Sequence, residues 1–264
     1  MRKLICFDMD MTLYDHKTLT IPESALKAVG KLQADGHIVA VATGRDMDNE
    51  FSSHLAEIVK PDAIVHCNGQ KVTVGGEVIR EAFLEKELVE RLLDFAEERG
   101  YSIGANLGPA GCFTHKERVI EREKRVFGIR EREFLEPERL LEERLYALTF
   151  FGTPEEAAEV ERAFPELKLP LFAAKEGADV IYRESSKALG IRALLEYYGL
   201  GWQDVVAFGD SMNDVEMLKE AGLGIAMGNA VPALKDAADF VTKRIDEDGV
   251  VYGLRYAGLL EEEI

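Results

Sequence analysis

Cysteine is scarce in this chain: three residues in 264, at Cys6, Cys67 and Cys112. An odd number of widely spaced thiols, one of them inside an apolar run, argues against a disulfide framework or a cysteine metal knuckle. Buried thiols in a reducing, cytoplasmic compartment are the expectation. Positive charge is also short, with 32 Lys and Arg against 49 Asp and Glu, a formal balance of −17. So acidic a surface repels a nucleic-acid backbone, and an anionic membrane for the same reason. No window carries enough consecutive apolar residues to span a bilayer. No leader-like stretch precedes the first strand, which begins almost at Met1. Repeats, low-complexity tracts and long linkers are missing as well. A small phosphorylated metabolite stays compatible as partner, because a metal, some amides and one lysine can reverse the field locally. The oligomeric state is not legible.

What is present is ordinary for a soluble enzyme: 47% hydrophobic and 31% charged residues. The length allows one large domain or two modest ones. Leu4 to Phe7 is an apolar run that ends in two alternate aspartates, Asp8 and Asp10. Residues i and i+2 share a face of a strand. At a strand's end such carboxylates can converge on one site, where open α/β sheets bind their ligands.

A helix then runs from Pro22 to about Asp35, a buried strand from His37 to Ala42, a helix to about Val59, and a strand from Ala63 to His66. This is βαβαβ. From about Phe83 the order becomes mixed: helix Glu85–Arg99, strands Tyr101–Asn106 and Cys112–Thr114, and a charged run from Lys116 to Arg144. That run predicts solvated helix faces with i,i+4 pairs. Strand Leu145–Phe151, helix Pro154–Phe164 and strands Leu167–Phe172 and Asp179–Tyr182 follow. From Lys187 the first pattern resumes, with strands at Val205–Phe208, Leu223–Ala226 and Phe240–Val241 alternating with helices. The fold class predicted is α/β: a doubly wound, mostly parallel, Rossmann-like sheet interrupted by an α+β insertion. The domains expected are a discontinuous core, 1–82 with 184–264, and an inserted domain, 83–183.

Chemistry-bearing residues line up at strand ends and one helix start. They are Asp8 and Asp10, Thr43 with Gly44, Lys187, and the stretch Gly209-Asp210-Ser211-Met212-Asn213-Asp214. Carboxylates from two strands make a hard oxygen site suited to Mg²⁺. The Thr43 hydroxyl, the Gly44 amide and the Lys187 ammonium are donors of the kind a phosphoryl group requires. A carboxylate among such donors can attack phosphorus, and a second one can move protons for the leaving group and for water.

Asp8-Met9-Asp10-Met11-Thr12, Thr43-Gly44-Arg45, Lys187 and Gly209 to Asp214 resemble the four motifs of the haloacid dehalogenase superfamily, in its order and on the expected strands. The large insertion between the second and third motifs resembles the Cof-like sugar-phosphatase branch, as does Ala226-Met227-Gly228-Asn229-Ala230. The resemblance implies Asp8 as nucleophile and metal ligand, and Asp10 as general acid/base that also offers its carbonyl to the metal. It implies Asp210 as the remaining protein metal ligand, with Asp214 supporting the metal's waters. Met9, Asp10, Thr43, Gly44, Lys187 and Asn213 would hold the phosphoryl group. Arg45 would reach a substrate anion or pair with a neighbouring acid. Asn68 and His115, with Asn106 and Lys116, are candidates to face the substrate. His66 reads as structural. The family most often has glycine where Met11 stands, so a positive φ there would strain the loop.

The activity expected is Mg²⁺-dependent hydrolysis of a small phosphomonoester through an aspartyl-phosphate, with the inserted domain as a cap. A sugar phosphate comes first, and pyridoxal phosphate, a nucleotide or a flavin phosphate are alternatives. The rival readings are a phosphomutase, a receiver-like signalling protein and a sugar-phosphate-binding protein.

Overall fold

The structure, a computed structural model, describes residues 2–49, 52–128, 132–172 and 175–261. It divides into two compact units, Met1–Glu81 with Ser186–Ile264, and Ala82–Ser185. In chain order the first unit opens with β1 (Leu4–Phe7), α1 (Glu23–Ala34), β2 (Ile38–Ala42), α2 (Ser53–Val59), β3 (Ala63–His66), β4 (Lys71–Val74) and β5 (Glu77–Glu81). The inserted unit contains α3 (Lys86–Arg99), β6 (Ser102–Leu107), β7 (Ala110–Phe113), α4 (Lys116–Phe127), β8 (Phe134–Leu135), β9 (Leu148–Phe151), α5 (Pro154–Ala163), β10 (Leu167–Lys168) and β11 (Ala178–Tyr182). The chain returns through α6 (Lys187–Tyr198), β12 (Val205–Gly209), α7 (Val215–Glu220), β13 (Leu223–Ala226), α8 (Pro232–Lys235), β14 (Phe240–Val241) and α9 (Gly249–Tyr256).

The first unit holds one sheet in the order β14-β13-β12-β1-β2-β3-β4-β5. Its strands are parallel except for the hairpin β4–β5, which adds antiparallel strands at one edge. Every residue of β1, β2 and β12 is buried. That is why these strands read as unbroken apolar runs, for helices cover both faces of a parallel sheet. The chain winds outward from β1 through β2 and β3 on one side, and from β12 through β13 and β14 on the other. The β1–β12 boundary is therefore the switch point of a doubly wound sheet, where a crevice opens at the carboxyl ends of the strands.

The inserted unit has its own six-stranded sheet, β10-β11-β9-β6-β7-β8, and its own apolar core built on Leu92, Ile103, Phe150 and Val160. Its strands pair antiparallel apart from β7 with β8. Among the described residues no helix is long and apolar enough to cross a membrane.

Several elements differ from the sequence expectation. The helix expected after Arg45 is replaced by turns up to Asn49, and α2 begins only at Ser53. Polar side chains capture backbone amides there: Thr43 Oγ1 accepts from Arg45 N at 3.1 Å, and Asp46 Oδ1 from Asp48 N at 3.1 Å. The charged run includes α4, whose Arg118 and Arg125 pair across elements with Glu156 and Glu176, while Arg139 further along pairs at i,i+3 with Glu142. The strand expected to reach Phe172 stops at Lys168, two residues before Pro170. The β4–β5 hairpin and α9 were not foreseen.

Candidate active site

Four loops at the carboxyl edge of the core sheet carry the polar groups. β1 ends at Phe7, and the Asp8 amide donates to Phe208 O at 2.9 Å, extending the pairing with β12 by one residue. The chain then turns back on itself, as Leu13 N and Tyr14 N both donate to Met9 O, at 3.0 and 2.7 Å. This turn places Met11 at φ 58°. The left-handed region costs a non-glycine residue about 1–2 kcal/mol. Met11 is half-buried against the core, and its carbonyl accepts from Asn229 Nδ2 at 2.8 Å. Glycine removes the strain and alanine keeps it. Met11→Gly is therefore expected to be more stable than Met11→Ala by about 1 kcal/mol, as urea midpoints would show.

Lys187 opens α6, whose N-cap Ser186 accepts from Leu189 N at 3.1 Å. Its side chain has no solvent exposure and donates to Asp8 Oδ1 and Asp214 Oδ1, both at 2.5 Å. The other oxygen of Asp214 accepts from the amides of Asp210 and Ser211, at 2.9 and 3.0 Å. Asp214 thus closes the loop after β12 onto the lysine. Gly209 makes room for it, since a Cβ there would lie 2.5 Å from the Asp214 Cγ.

Carboxylate oxygens of Asp8, Asp210 and Asp214 lie within 4.8 Å of one another. Three carboxylates face a single ammonium, so the cluster carries surplus negative charge. Burial, opposed by Lys187 but reinforced by Asp214 and Asp10, pushes Asp8 up to about 7. Burial, with Asp8 and Asp214 beside it, pushes Asp210 up to about 9. Burial opposes the Lys187 charge, yet Asp214 and Asp8 outweigh it and hold the ammonium above its ordinary value. Asp214 has both oxygens engaged, whereas among the described residues no hydrogen bond reaches the Asp210 carboxylate. A crowded, under-neutralised set of hard oxygen donors fits a divalent cation.

Asp10 sits differently. Arg45 grips it with Nε to Oδ2 at 2.7 Å and Nη2 to Oδ1 at 2.6 Å, and His16 Nε2 lies 2.6 Å from Oδ1. Burial works against the Asp10 charge. The hydrogen bonds from His16 and Arg45 overcome it and hold this carboxyl well below the usual carboxylate range. Of the two partners offered for Arg45 by the sequence, the structure pairs it with the neighbouring acid. His16 lies in a polar stretch that reads as an ordinary turn, so no sequence pattern marks it out.

Thr43 is buried at the end of β2, and its amide donates to Val65 O at 2.9 Å. Gly44 follows it, and Met9 is buried beneath the first loop. Asn213 donates through Nδ2 to Asn68 Oδ1 at 3.0 Å and accepts from Ser211 Oγ at 2.7 Å. Asn68 is only 1% exposed. His115 and Asn106 belong to the inserted unit and are engaged within it: the His115 ring lies 3.2 Å from Glu97 O, and Asn106 Oδ1 accepts from Arg132. Lys116 begins α4.

A second acidic group, Asp46 and Asp48 around His66, is not a comparable metal site. His66 Nδ1 accepts from Met47 N at 3.1 Å and Nε2 meets Thr73 Oγ1 at 3.0 Å, so both ring nitrogens are used. Lys71 already pairs with Asp48. The three cysteines are buried and form no disulfide, and burial pushes the Cys6 thiol up.

The family model described as haloacid dehalogenase-like hydrolase matches residues 5–254. The Bacillus subtilis protein named "Putative phosphatase YkrA" is 36% identical over 268 residues, covering 98% of this chain and 99% of that protein. A second B. subtilis protein, the 5-amino-6-(5-phospho-D-ribitylamino)uracil phosphatase YitU, is 27% identical, with 96% of each chain covered. Among solved structures, the one described as the subclass IIB sugar phosphatase BT4131 superposes with a TM-score of 0.86 at 29% identity, over 98% of this chain and 100% of that one. A match along nearly the whole length joins the clustered carboxylates and buried lysine at the switch point, and the chain belongs to the haloacid dehalogenase-like hydrolases.

Proposed function

We propose that this protein is a Mg²⁺-dependent phosphatase that hydrolyses a small phosphomonoester through an aspartyl-phosphate on Asp8. The observation that carries the reading is Lys187 bonded to both Asp8 and Asp214 while Asp210 crowds the same carboxylate. Asp8 and Asp210, with the Asp10 carbonyl, would hold the cation. When bound, it offsets the surplus negative charge and lets an anionic ester approach.

The Asp8 carboxylate attacks phosphorus and the ester oxygen departs, taking a proton from Asp10. Thr43, Gly44, Lys187 and Asn213 donate to the phosphoryl oxygens as charge spreads over them. Water then attacks the phosphorus of the acyl phosphate, Asp10 takes its proton, and Asp8 is restored with orthophosphate released. The Arg45 and His16 contacts favour anionic Asp10, the form that the second step uses. In the first step the Asp10 proton is carried against that preference.

The chemistry is complete within the unit that holds the parallel sheet. We assign the inserted unit, 82–185, to recognition of the leaving group, as a cap. The sugar phosphatase and the phosphoribitylamino-uracil phosphatase among the similar proteins support a small phosphorylated metabolite, with a sugar phosphate first. Buried cysteines that form no disulfide support a reducing compartment, the cytoplasm.

The test is orthophosphate release from a panel of phosphomonoesters, with and without Mg²⁺. The expected result is multiple turnover that a chelator abolishes, with stoichiometric free phosphate. Return of the phosphoryl group to a sugar would favour a mutase, and phosphorylation without turnover a receiver. Because the acids repel one another without a cation, Mg²⁺ at a hundred times its Kd is expected to stabilise the fold by about 2.7 kcal/mol. Thermal melts across a Mg²⁺ titration would measure it.

A further inference from the structure

The turn after β3 carries a run of left-handed backbone. Cys67, Asn68 and Gly69 have consecutive positive φ of 48°, 52° and 94°. Cys67 is an L residue that avoids this region, and such strain persists only where the surroundings over-determine it. Here they do. Cys67 N donates to Arg45 O at 3.0 Å, and Asn68 N to Thr43 O at 2.9 Å. Gly69 lies so close to the start of α6 that a Cβ would come within 2.1 Å of Ser186 O, beside Lys187. The Asn68 carboxamide oxygen accepts from Asn213 Nδ2 at 3.0 Å. One strained turn therefore touches the loops that carry Thr43, Lys187 and Asn213.

We propose that Asn68 is a positioning residue, acting through Asn213 to set the loop after β12 against the Thr43 loop, and not a group that meets substrate. Its burial agrees, at 1% exposure. Asparagine suits the place because it tolerates the left-handed backbone and offers an oxygen across the gap. The proposal rests on the reading of Asn213 as a donor to the phosphoryl group.

Asn68→Gly separates the backbone from the link, since glycine accepts the positive φ without strain and deletes the carboxamide. Asn68→Ala would confuse the two by adding strain. We expect Asn68→Gly, assayed with Mg²⁺, to melt at the wild-type temperature. Its kcat/KM on p-nitrophenyl phosphate is expected to fall about tenfold, less than the roughly hundredfold cost of a 1 Å misplacement. Orthophosphate binding, measured by calorimetry, should weaken by a similar factor. In an Asn213→Ala background the same change should have no further effect. If Asn213→Ala is impaired and Asn68→Gly matches wild type, or if the two effects multiply, the link is overturned and the phosphatase reading stands. If Asn213→Ala itself binds orthophosphate and turns over like wild type, the link and the role of Asn213 beneath it are both overturned.

Discussion

Asp8→Asn is expected to abolish turnover while leaving the metal-free fold at least as stable as wild type. The amide oxygen cannot form the acyl phosphate, and losing a covalent nucleophile costs about 10⁴-fold or more. Stability moves the other way. The cluster sets the Asp8, Asp210 and Asp214 carboxylates against the one Lys187 ammonium. Removing one negative charge leaves Lys187 paired with Asp214 and relieves the Asp8 repulsion that, after burial, raises Asp210. A gain of about 1 kcal/mol is in the range found when a functional strain is removed. Phosphate release and a thermal melt in chelator, done on the same preparation, check both halves. Undiminished turnover would end the nucleophile assignment. A large loss of stability would mean that Asp8 holds Lys187 in place more than it repels its neighbours.

Lys187→Met is expected to fail on both counts. Methionine fills similar volume, so packing is nearly kept. Asp8 and Asp214 are left buried without their cation, and breaking a buried pair by removing one partner costs about 3–5 kcal/mol. Asp214 keeps its two amide donors, so most of the penalty falls on Asp8. Turnover should fall by about 10²–10³-fold, as when one donor to a developing phosphoryl or oxyanion charge is removed. Urea unfolding with chelator measures the first loss, and with Mg²⁺ it should shrink, because a cation replaces part of the missing charge. A variant equally stable with and without Mg²⁺ would contradict a shared role of lysine and cation in neutralising the carboxylates.

The buried strands were legible because a parallel sheet covered on both faces leaves unbroken apolar runs, as in β1 and β12. The turns after Arg45 were not, because side-chain capture by Thr43 and Asp46 outweighs a weak helical pattern. In the edge hairpin β5 is exposed or half-buried and β4 carries Lys71 and Thr73 in place of an unbroken apolar run, so neither strand gives such a signal. In the charged run the signs were legible and the partners were not, since Arg118 meets Glu156, 38 positions away.

Taken by itself, the sequence determined the doubly wound α/β class, the inserted α+β segment, the acids and threonine at strand ends and the lysine at a helix start. Each depends on local pattern, namely where an apolar run stops and which residue follows it. Only the tertiary structure decided that Asp214 is shared between Lys187 and two amides, that Arg45 and His16 hold Asp10, and that Asn68 reaches Asn213. Those contacts join residues 3 to 145 positions apart. The Arg45–Asp10 and Asn68–Asn213 contacts exist only because sheet order brings the ends of β1, β2, β3 and β12 into one row, which local spacing does not encode.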